Sequence, residues 1–254
     1  TRTEGSSSHK IGDNEAARFA QLGTFSENLL VAESSLVKVE KDLPLDVVAR
    51  VSCGVATGVG SAVHRAEVKP GDNVAVIGVG GVGINAVQGA KISGAKRVIA
   101  IDPLEFKREK AMEMGATHTY ASIDEALLAV PELTWGDMCD SVIMVPGLIS
   151  GDMVEPAMNL VAKGGTMVVT ALAGLMENDV SLNLFMLAMM NKEIKGTVFG
   201  SGNPRVDIPQ LLSMYREGVL DLDGLITNRY ALDDINQGYQ DLRDGKNIRG
   251  VIEF

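Results

Sequence analysis

The sequence predicts an α/β protein built on a doubly wound, parallel β-sheet. From residue 73 onwards, short apolar runs alternate with helical patterns, which is the order that parallel strands joined by crossover helices produce. Residues 74–102 show this order most clearly, because an apolar strand, a glycine-rich turn, a helix and a second apolar strand follow one another. Six strands are predicted, near residues 74–79, 97–102, 118–121, 141–146, 166–172 and 194–200. Helices are predicted near residues 81–93, 104–114, 123–130, 151–162 and 182–191.

The segments on either side of this alternation have other patterns. Residues 1–16 are polar and are expected to be mobile, and residues 22–39 contain short alternating or apolar runs that predict strands. Pro44 opens a helical pattern that glycines interrupt. After Gly200, two helices and a closing strand are predicted in IPQLLSMYREG, YALDDINQGYQDLRDG and VIEF.

The turn after the first predicted strand is Gly78-Val79-Gly80-Gly81-Val82-Gly83. A Gly-x-Gly-x-x-Gly turn between a strand and a helix is typical of dinucleotide binding. The first glycine allows a tight turn, the second leaves room for a pyrophosphate, and the last lets helix and strand pack closely. The helix N-terminus then offers unpaired N–H groups and a partial positive charge to the phosphates.

Asp102 ends the second predicted strand, about 20 residues after the glycine-rich turn. A carboxylate in this place accepts hydrogen bonds from the ribose hydroxyls of a bound dinucleotide and repels a 2′-phosphate, so NAD is favoured over NADP. The alternative is an ordinary strand–helix–strand unit that happens to have a glycine-rich turn. The presence of strand, helix, second strand and acid together favours the dinucleotide site.

Composition argues against several classes of function. The chain has 23 basic and 33 acidic residues and a net charge of −10, which opposes nucleic-acid binding and favours a cytoplasmic protein. No apolar run is expected to reach membrane-spanning length, and the polar start has no signal-peptide core. Two cysteines, Cys53 and Cys139, do not make a disulfide framework. Cys139 precedes an apolar strand and is expected to be a buried thiol.

Several segments resemble the zinc-dependent medium-chain alcohol dehydrogenases. The stretch CGVATGVGSAVHRAEVKPGDNVAVIGVGGVGINAVQGAKISGAKRVIAID carries the resemblance, and EIKGTVFGSGNP and GKNIRGVIEF also fit. The segments AMEMGATHTYASIDEAL, GNPRVDIPQLLSMY and INQGYQDLRDGKNIRGVI are similar to an actinobacterial, nicotinoprotein-like branch. Members of that branch keep NAD bound and pass electrons to a nitroso dye, nitrosodimethylaniline.

The resemblance implies a domain layout. Residues 1–54 would belong to a β-rich, chaperonin-10-like catalytic domain, residues 55–198 to an NAD-binding Rossmann domain, and residues 199–254 to the returning catalytic domain. The family's structural zinc lobe, the first half of its catalytic domain, two of its catalytic zinc ligands and its proton relay have no counterpart here. The chain is therefore expected to be part of a longer protein.

The resemblance also assigns roles to individual residues. Cys53 matches a catalytic zinc ligand, whereas without the family it is a small buried hydrophobe; His9, His64 and His118 lack metal-ligand spacing. Thr57, Val82 and Val145 match positions that contact the nicotinamide, and the backbone of Phe199 matches a contact to its carboxamide. Lys107 matches a ligand of the adenosine ribose and Arg249 a partner of the pyrophosphate, whose oxygens suit a planar guanidinium. The alternatives are a hydrogen bond to a helix carbonyl for Thr57, core packing for Val82 and Val145, and a solvated surface position for Lys107 and Arg249.

These observations predict a zinc-dependent alcohol dehydrogenase that transfers a hydride between a primary alcohol or aldehyde and NAD. Another medium-chain activity, on formaldehyde or a polyol, and a non-catalytic NAD-binding subunit remain open. A homo-oligomer is expected, because EIKGTVF lies at a subunit interface in the family. The methionine-rich run FMLAMMNK before it is expected to be helix core.

Overall fold

The computed structural model describes residues 9–16, 24–174 and 176–254. Its ten strands there are β1 (His9–Ile11), β2 (Asn14–Ala16), β3 (Asn73–Ile77), β4 (Arg97–Ile101), β5 (His118–Tyr120), β6 (Cys139–Met144), β7 (Val161–Val169), β8 (Glu193–Gly196), β9 (Ile226–Ala231) and β10 (Arg249–Glu253). The α-helices are α1 (Leu45–Arg50), α2 (Ala56–Gly60), α3 (Gly83–Ile92), α4 (Glu105–Glu113), α5 (Ile123–Leu133), α6 (Val154–Leu160), α7 (Leu184–Met189), α8 (Pro204–Arg216) and α9 (Ile235–Arg243).

The centre of the fold is a six-stranded parallel sheet in the order β5-β4-β3-β6-β7-β8. The strand order reverses between β3 and β6, and in open α/β sheets ligands bind outside the carboxyl ends of the strands at such a point. The predicted doubly wound sheet is confirmed, with all six strands present.

Three buried apolar clusters hold the elements together. One lies on each face of the sheet, and burial of β3 is nearly complete because helices cover both faces. The third joins α8 and residues 220–225 to the helix that carries Val47, Val51 and Val55. This third cluster attaches the C-terminal part of the chain to that helix and, through Ile84, to α3.

A long helix, Leu45–Arg65, precedes the sheet. It begins after Pro44, as predicted, and runs through α1 and α2 with π-helical turns at Val51–Val55 and Ser61–Arg65. The glycines do not break it, and the predicted domain boundary at residues 54 and 55 falls inside it.

In the described part of the chain, this helix is the one that is long and apolar enough to cross a membrane, with mean hydropathy 1.2. No such run was expected from the sequence. Over half of the helix (56%) is buried in the protein, and a core helix passes the same test.

The structure differs from the sequence predictions in four other places. Residues 24–39 form no strand but a single 3-10 turn, Glu33–Ser35, so the prediction for 22–39 is wrong over the described residues. Within 1–16, the described residues 9–16 form the β1–β2 hairpin, and the rest lie outside the described part. The helix predicted from residue 230 begins at Ile235, because residues 226–231 pair with β10 instead. None of α7 is buried, so the core placement of FMLAMMNK is wrong.

The other predicted helices agree with the structure to within a few residues, apart from a 3-10 turn, Gly151–Met153, that opens the one expected at 151–162. β9 and β10 form a separate parallel pair. Cys139, at the start of β6, is fully buried as predicted, and burial together with Asp140 raises the pKa of its thiol to about 12.

Candidate cofactor site

The glycine-rich turn has the geometry that its sequence predicts. Gly78 has a φ of +86°, which only glycine adopts without strain. A Cβ atom on Gly83 would overlap the carbonyl oxygen of Gly78, so the third glycine is needed for close packing of helix and strand. Gly80 has an ordinary φ, and a Cβ atom there would meet nothing within 4 Å in the described protein. Backbone conformation therefore explains why residue 78 is glycine, and close packing explains why residue 83 is. Neither explains Gly80, and the open space above it is available to a ligand.

Arg249 lies beside this turn. A Cβ atom on Gly81 or on Gly54 would stand 2.7 Å from Arg249 Cζ, so both glycines make room for the guanidinium. Within the described residues, Arg249 has no carboxylate at salt-bridge distance. Burial lowers its pKa, and the nearby Cys53 opposes that effect. A half-buried guanidinium without an anion, next to open space above Gly80, fits a pyrophosphate.

Asp102 stands at the carboxyl end of β4, where it is 5% exposed. One carboxylate oxygen accepts from the N–H of Val79 and the other from the N–H of Leu104, each at 3.0 Å. Asp102 therefore also holds the glycine-rich turn, a task that the sequence did not reveal. Each oxygen keeps a second lone pair for a ribose hydroxyl.

Three further predicted residues surround the same edge of the sheet. Val82 precedes α3 and is half-buried, and Val145 follows β6 and is 9% exposed, with its N–H donating to Ile77 at 2.7 Å. Both border the point at which the strand order reverses. Lys107 is half-buried on α4, five residues after Asp102.

The long helix brings Cys53 and Thr57 to this edge. Cys53 is exposed and Thr57, one turn later, is half-buried. The helix packs closely against the start of α3, because a Cβ atom on Gly58 would overlap the carbonyl oxygen of Val82. The expectation that Cys53 is a buried hydrophobe, its alternative without the family, is not met.

Phe199 lies in a 3-10 turn, Phe199–Ser201, and not at the end of a strand, since β8 ends at Gly196. This corrects the strand predicted over 194–200. Phe199, Gly200 and Ser201 have φ values of +50°, +67° and +57°, so three successive residues are left-handed. The turn is fixed by a 2.7 Å bond between the hydroxyls of Thr197 and Ser201 and by the approach of Gly200 to the helix at Thr57. The turn that carries Phe199 is thus held against the backbone of the long helix at Thr57.

Zinc does not fit the described residues as a complete site. No group of three or more His, Cys, Asp or Glu side chains that could hold a metal occurs among them. His64 Nε2 lies 3.7 Å from Asp207, and His118 Nδ1 shares a hydrogen bond with the hydroxyl of Thr117. A catalytic zinc needs three protein ligands, and the described residues offer no such set.

Sequence analysis missed two buried amides on α3. Asn85 and Gln88 are 0% and 4% exposed and bond to each other at 3.3 Å. Their signal in the sequence is the presence of two amides in an otherwise apolar helix, but their partners could not be named from it.

The fold and this site define a Rossmann-type dinucleotide-binding protein. A family model described as zinc-binding dehydrogenase matches residues 81–217. The chain is 50% identical over 233 residues to alcohol dehydrogenase B of Mycobacterium tuberculosis, and this match covers 92% of the chain and 62% of the relative. It is 49% identical over 249 residues to an NDMA-dependent alcohol dehydrogenase of Amycolatopsis methanolica, covering 98% and 67%.

A solved structure, the benzyl alcohol dehydrogenase of Acinetobacter calcoaceticus, matches with a TM-score of 0.80 and 30% identity over 86% of this chain and 59% of that one. The chain belongs to the zinc-binding, medium-chain alcohol dehydrogenase family. It spans about 62% of the length of its mycobacterial relatives.

Proposed function

We propose that the protein containing this chain is an alcohol dehydrogenase that uses NAD to oxidise a primary alcohol to an aldehyde. The observation that carries the proposal is the open space above Gly80, closed on one side by a guanidinium that has no carboxylate partner in the described residues. Membership of the zinc-binding dehydrogenase family supports the reaction class.

The residues around the glycine-rich turn would hold the cofactor. Arg249 and the first N–H groups of α3 would bind the pyrophosphate, and Asp102 and Lys107 the adenosine ribose. Val82, Val145, Thr57 and the backbone of Phe199 would surround the nicotinamide. When bound, the nicotinamide accepts a hydride from the alcohol carbon.

One feature favours NAD over NADP, and another favours a cofactor that stays bound. Asp102 is a carboxylate, so a 2′-phosphate would be repelled. The similarity to the NDMA-dependent alcohol dehydrogenase of Amycolatopsis methanolica favours a cofactor that is not exchanged at each turnover.

Cys53 is the described residue that would bind zinc. A thiolate is a suitable zinc ligand, and Cys53 is exposed beside the cofactor site. The described residues supply no set of three ligands that could hold the metal.

The proposed partners follow from surface and charge. β8 is an edge strand, and exposed apolar side chains lie on and around it, among them Leu172, Phe185, Met189, Ile194 and Val198. Such a face favours a homo-oligomer. The net charge of −10 disfavours nucleic acid, and a cytoplasmic location without membrane attachment is proposed with it.

Assays of the complete protein test the proposal. Primary alcohols, formaldehyde with a thiol carrier and polyols would be supplied in turn, with either free NAD or a nitroso dye as electron acceptor, and zinc would be measured. Aldehyde formation from a primary alcohol is expected. Oxidation of polyols alone would move the protein to a rival activity, and absence of both zinc and turnover would make it a non-catalytic NAD-binding subunit.

A further inference from the structure

A chain of buried hydrogen bonds begins at the glycine-rich turn. Asn85 Nδ2 donates to the carbonyl oxygen of Gly81 at 2.9 Å, and Gln88 Nε2 donates to Asn85 Oδ1 at 3.3 Å. The two amides are three residues apart on α3 and share one face of it. Neither side chain is more than 4% exposed.

The chain of bonds continues into the C-terminal part of the protein. The side-chain amide of Gln88 makes two hydrogen bonds to the backbone of Asp221. Its Nε2 donates to the Asp221 carbonyl at 2.9 Å, and its Oε1 accepts from the Asp221 N–H at 2.8 Å. The next carbonyl, that of Leu222, accepts from the guanidinium of Arg50. Arg50 is 7% exposed, and its Nε also donates to the backbone carbonyl of Asp46 within the long helix.

This chain connects the two halves of the candidate site. At one end is Gly81, whose Cα faces Arg249; at the other is Arg50, three residues before Cys53 on the same helix. A buried amide that lost its partners would cost stability, and apolar residues fill the rest of this helix face. Two amides are therefore an unusual way to pack α3, and they bond to backbone groups that border the site.

We infer that Asn85 and Gln88 are positioning residues, which fix the dinucleotide turn relative to the helix that carries Cys53. The inference rests on the proposed function. Asn85 holds the carbonyl of Gly81, so the turn keeps its N–H groups towards the cofactor. Gln88 ties the same turn, through Asp221 and Leu222, to Arg50.

The test uses the complete protein with Gln88→Met and Asn85→Leu, which keep side-chain size and remove the hydrogen bonds. NAD and NADH affinity, kcat, KM for the alcohol and Tm would be measured. Each variant is expected to weaken NAD binding by about 3- to 10-fold, a change in binding free energy that corresponds to a single hydrogen bond. The double variant is expected to lose little more than either single one, because the two residues act in one chain.

Val87→Ala is the matched control. Val87 is fully buried on α3 and packs into the sheet core, away from the bonded chain, so its truncation lowers Tm without touching Asn85 or Gln88. NAD affinity and kcat of this control are expected to match those of the wild type.

Three outcomes separate the hypotheses. If Gln88→Met lowers Tm as Val87→Ala does and leaves NAD affinity and kcat unchanged, the amides have a packing role and the inference is wrong. If the two single effects on NAD affinity multiply in the double variant, the residues do not form one positioning chain. If the wild-type protein binds neither NAD nor NADH, the proposed function fails and this inference fails with it.

Discussion

The guanidinium of Arg249 lies over Gly81: a Cβ atom on that glycine would stand 2.7 Å from Arg249 Cζ. Arg249 begins β10, and Gly81 belongs to the turn after β3, so the last strand of the chain reaches back to the first strand of the sheet. The cation is placed where a pyrophosphate would meet it, and the first and last of the predictions below depend on this arrangement.

The first prediction separates two glycines of the same turn. Gly80→Ala should leave Tm unchanged or slightly higher, because the methyl group meets no protein atom within 4 Å and the substitution removes freedom from the unfolded chain, worth about 0.4–1 kcal/mol. NAD binding should fall sharply, since the methyl group takes the space of the pyrophosphate. Isothermal titration with NAD and a thermal melt would measure both effects.

Gly83→Ala and Gly196→Ala complete this experiment. Gly83→Ala should lower Tm, because its Cβ would overlap the carbonyl of Gly78. Gly196→Ala, on the edge strand β8 with open space around it, should likewise leave Tm unchanged or slightly higher, but it should not change NAD affinity. Full NAD affinity in Gly80→Ala would show that the space above the turn is not the pyrophosphate site.

The second prediction concerns Asp102. Replacing it with Ser should relax the preference for NAD over NADP, because the charge that repels a 2′-phosphate is removed. The fold should also lose stability, at about 1–3 kcal/mol for each backbone N–H left unsatisfied, at Val79 and Leu104. Asp102→Asn, which keeps oxygen and shape, should recover part of the stability. An unchanged ratio of the two affinities would mean that Asp102 serves the turn and not the ribose.

The third prediction is a pH dependence of stability below neutrality. Burial, and to a smaller extent Arg97, lowers the pKa of His118 below 6.5, so the unfolded chain binds a proton that the folded chain resists. The stabilisation from neutral His118 is complete above pH 6.5 and is lost as the pH falls from 6.5 through the folded-state value. Urea unfolding at pH 7.5 and 5.5 should show a smaller difference in His118→Gln than in the wild type. Equal differences would contradict the assignment.

The fourth prediction concerns the exposed apolar face around β8. Phe185 is 70% exposed and Val198 73%, which is costly for a monomer in water. In the complete protein, Phe185→Glu together with Val198→Lys should reduce the assembly to smaller species in sedimentation or light scattering. Leu128→Glu is the control, because Leu128 is 84% exposed on α5 elsewhere in the fold. An unchanged mass in the double variant would place the oligomer contact elsewhere.

The sheet could be predicted because its causes are local. The central strands β3 and β4 are short apolar runs between turn residues. Gly78, Gly80 and Gly83 follow directly from what a pyrophosphate turn needs. The bonds of Gln88 to Asp221 could not be predicted, since 133 residues separate the partners and only the folded chain places them together.

The sequence pattern predicted that α7 is core, whereas none of its residues is buried, and the reason is related. Apolar residues at helical spacing predict burial, but the spacing does not say whether the cover belongs to the same chain.

The last prediction is that the complete purified protein carries NAD or NADH through gel filtration. The cofactor would be held at both ends, by Asp102 and Lys107 at the ribose and by Arg249 and the turn at the pyrophosphate. Arg249→Met should release it, with about 10- to 150-fold lower affinity for the loss of a charge-assisted contact worth about 1.5–3 kcal/mol. The same substitution should leave Tm of the cofactor-free protein equal or higher, because burial disfavours the Arg249 cation and the described residues supply no carboxylate partner. Mass spectrometry of the denatured protein detects the nucleotide. Wild-type protein without nucleotide, turning over rapidly on free NAD, would place it among dehydrogenases that exchange their cofactor.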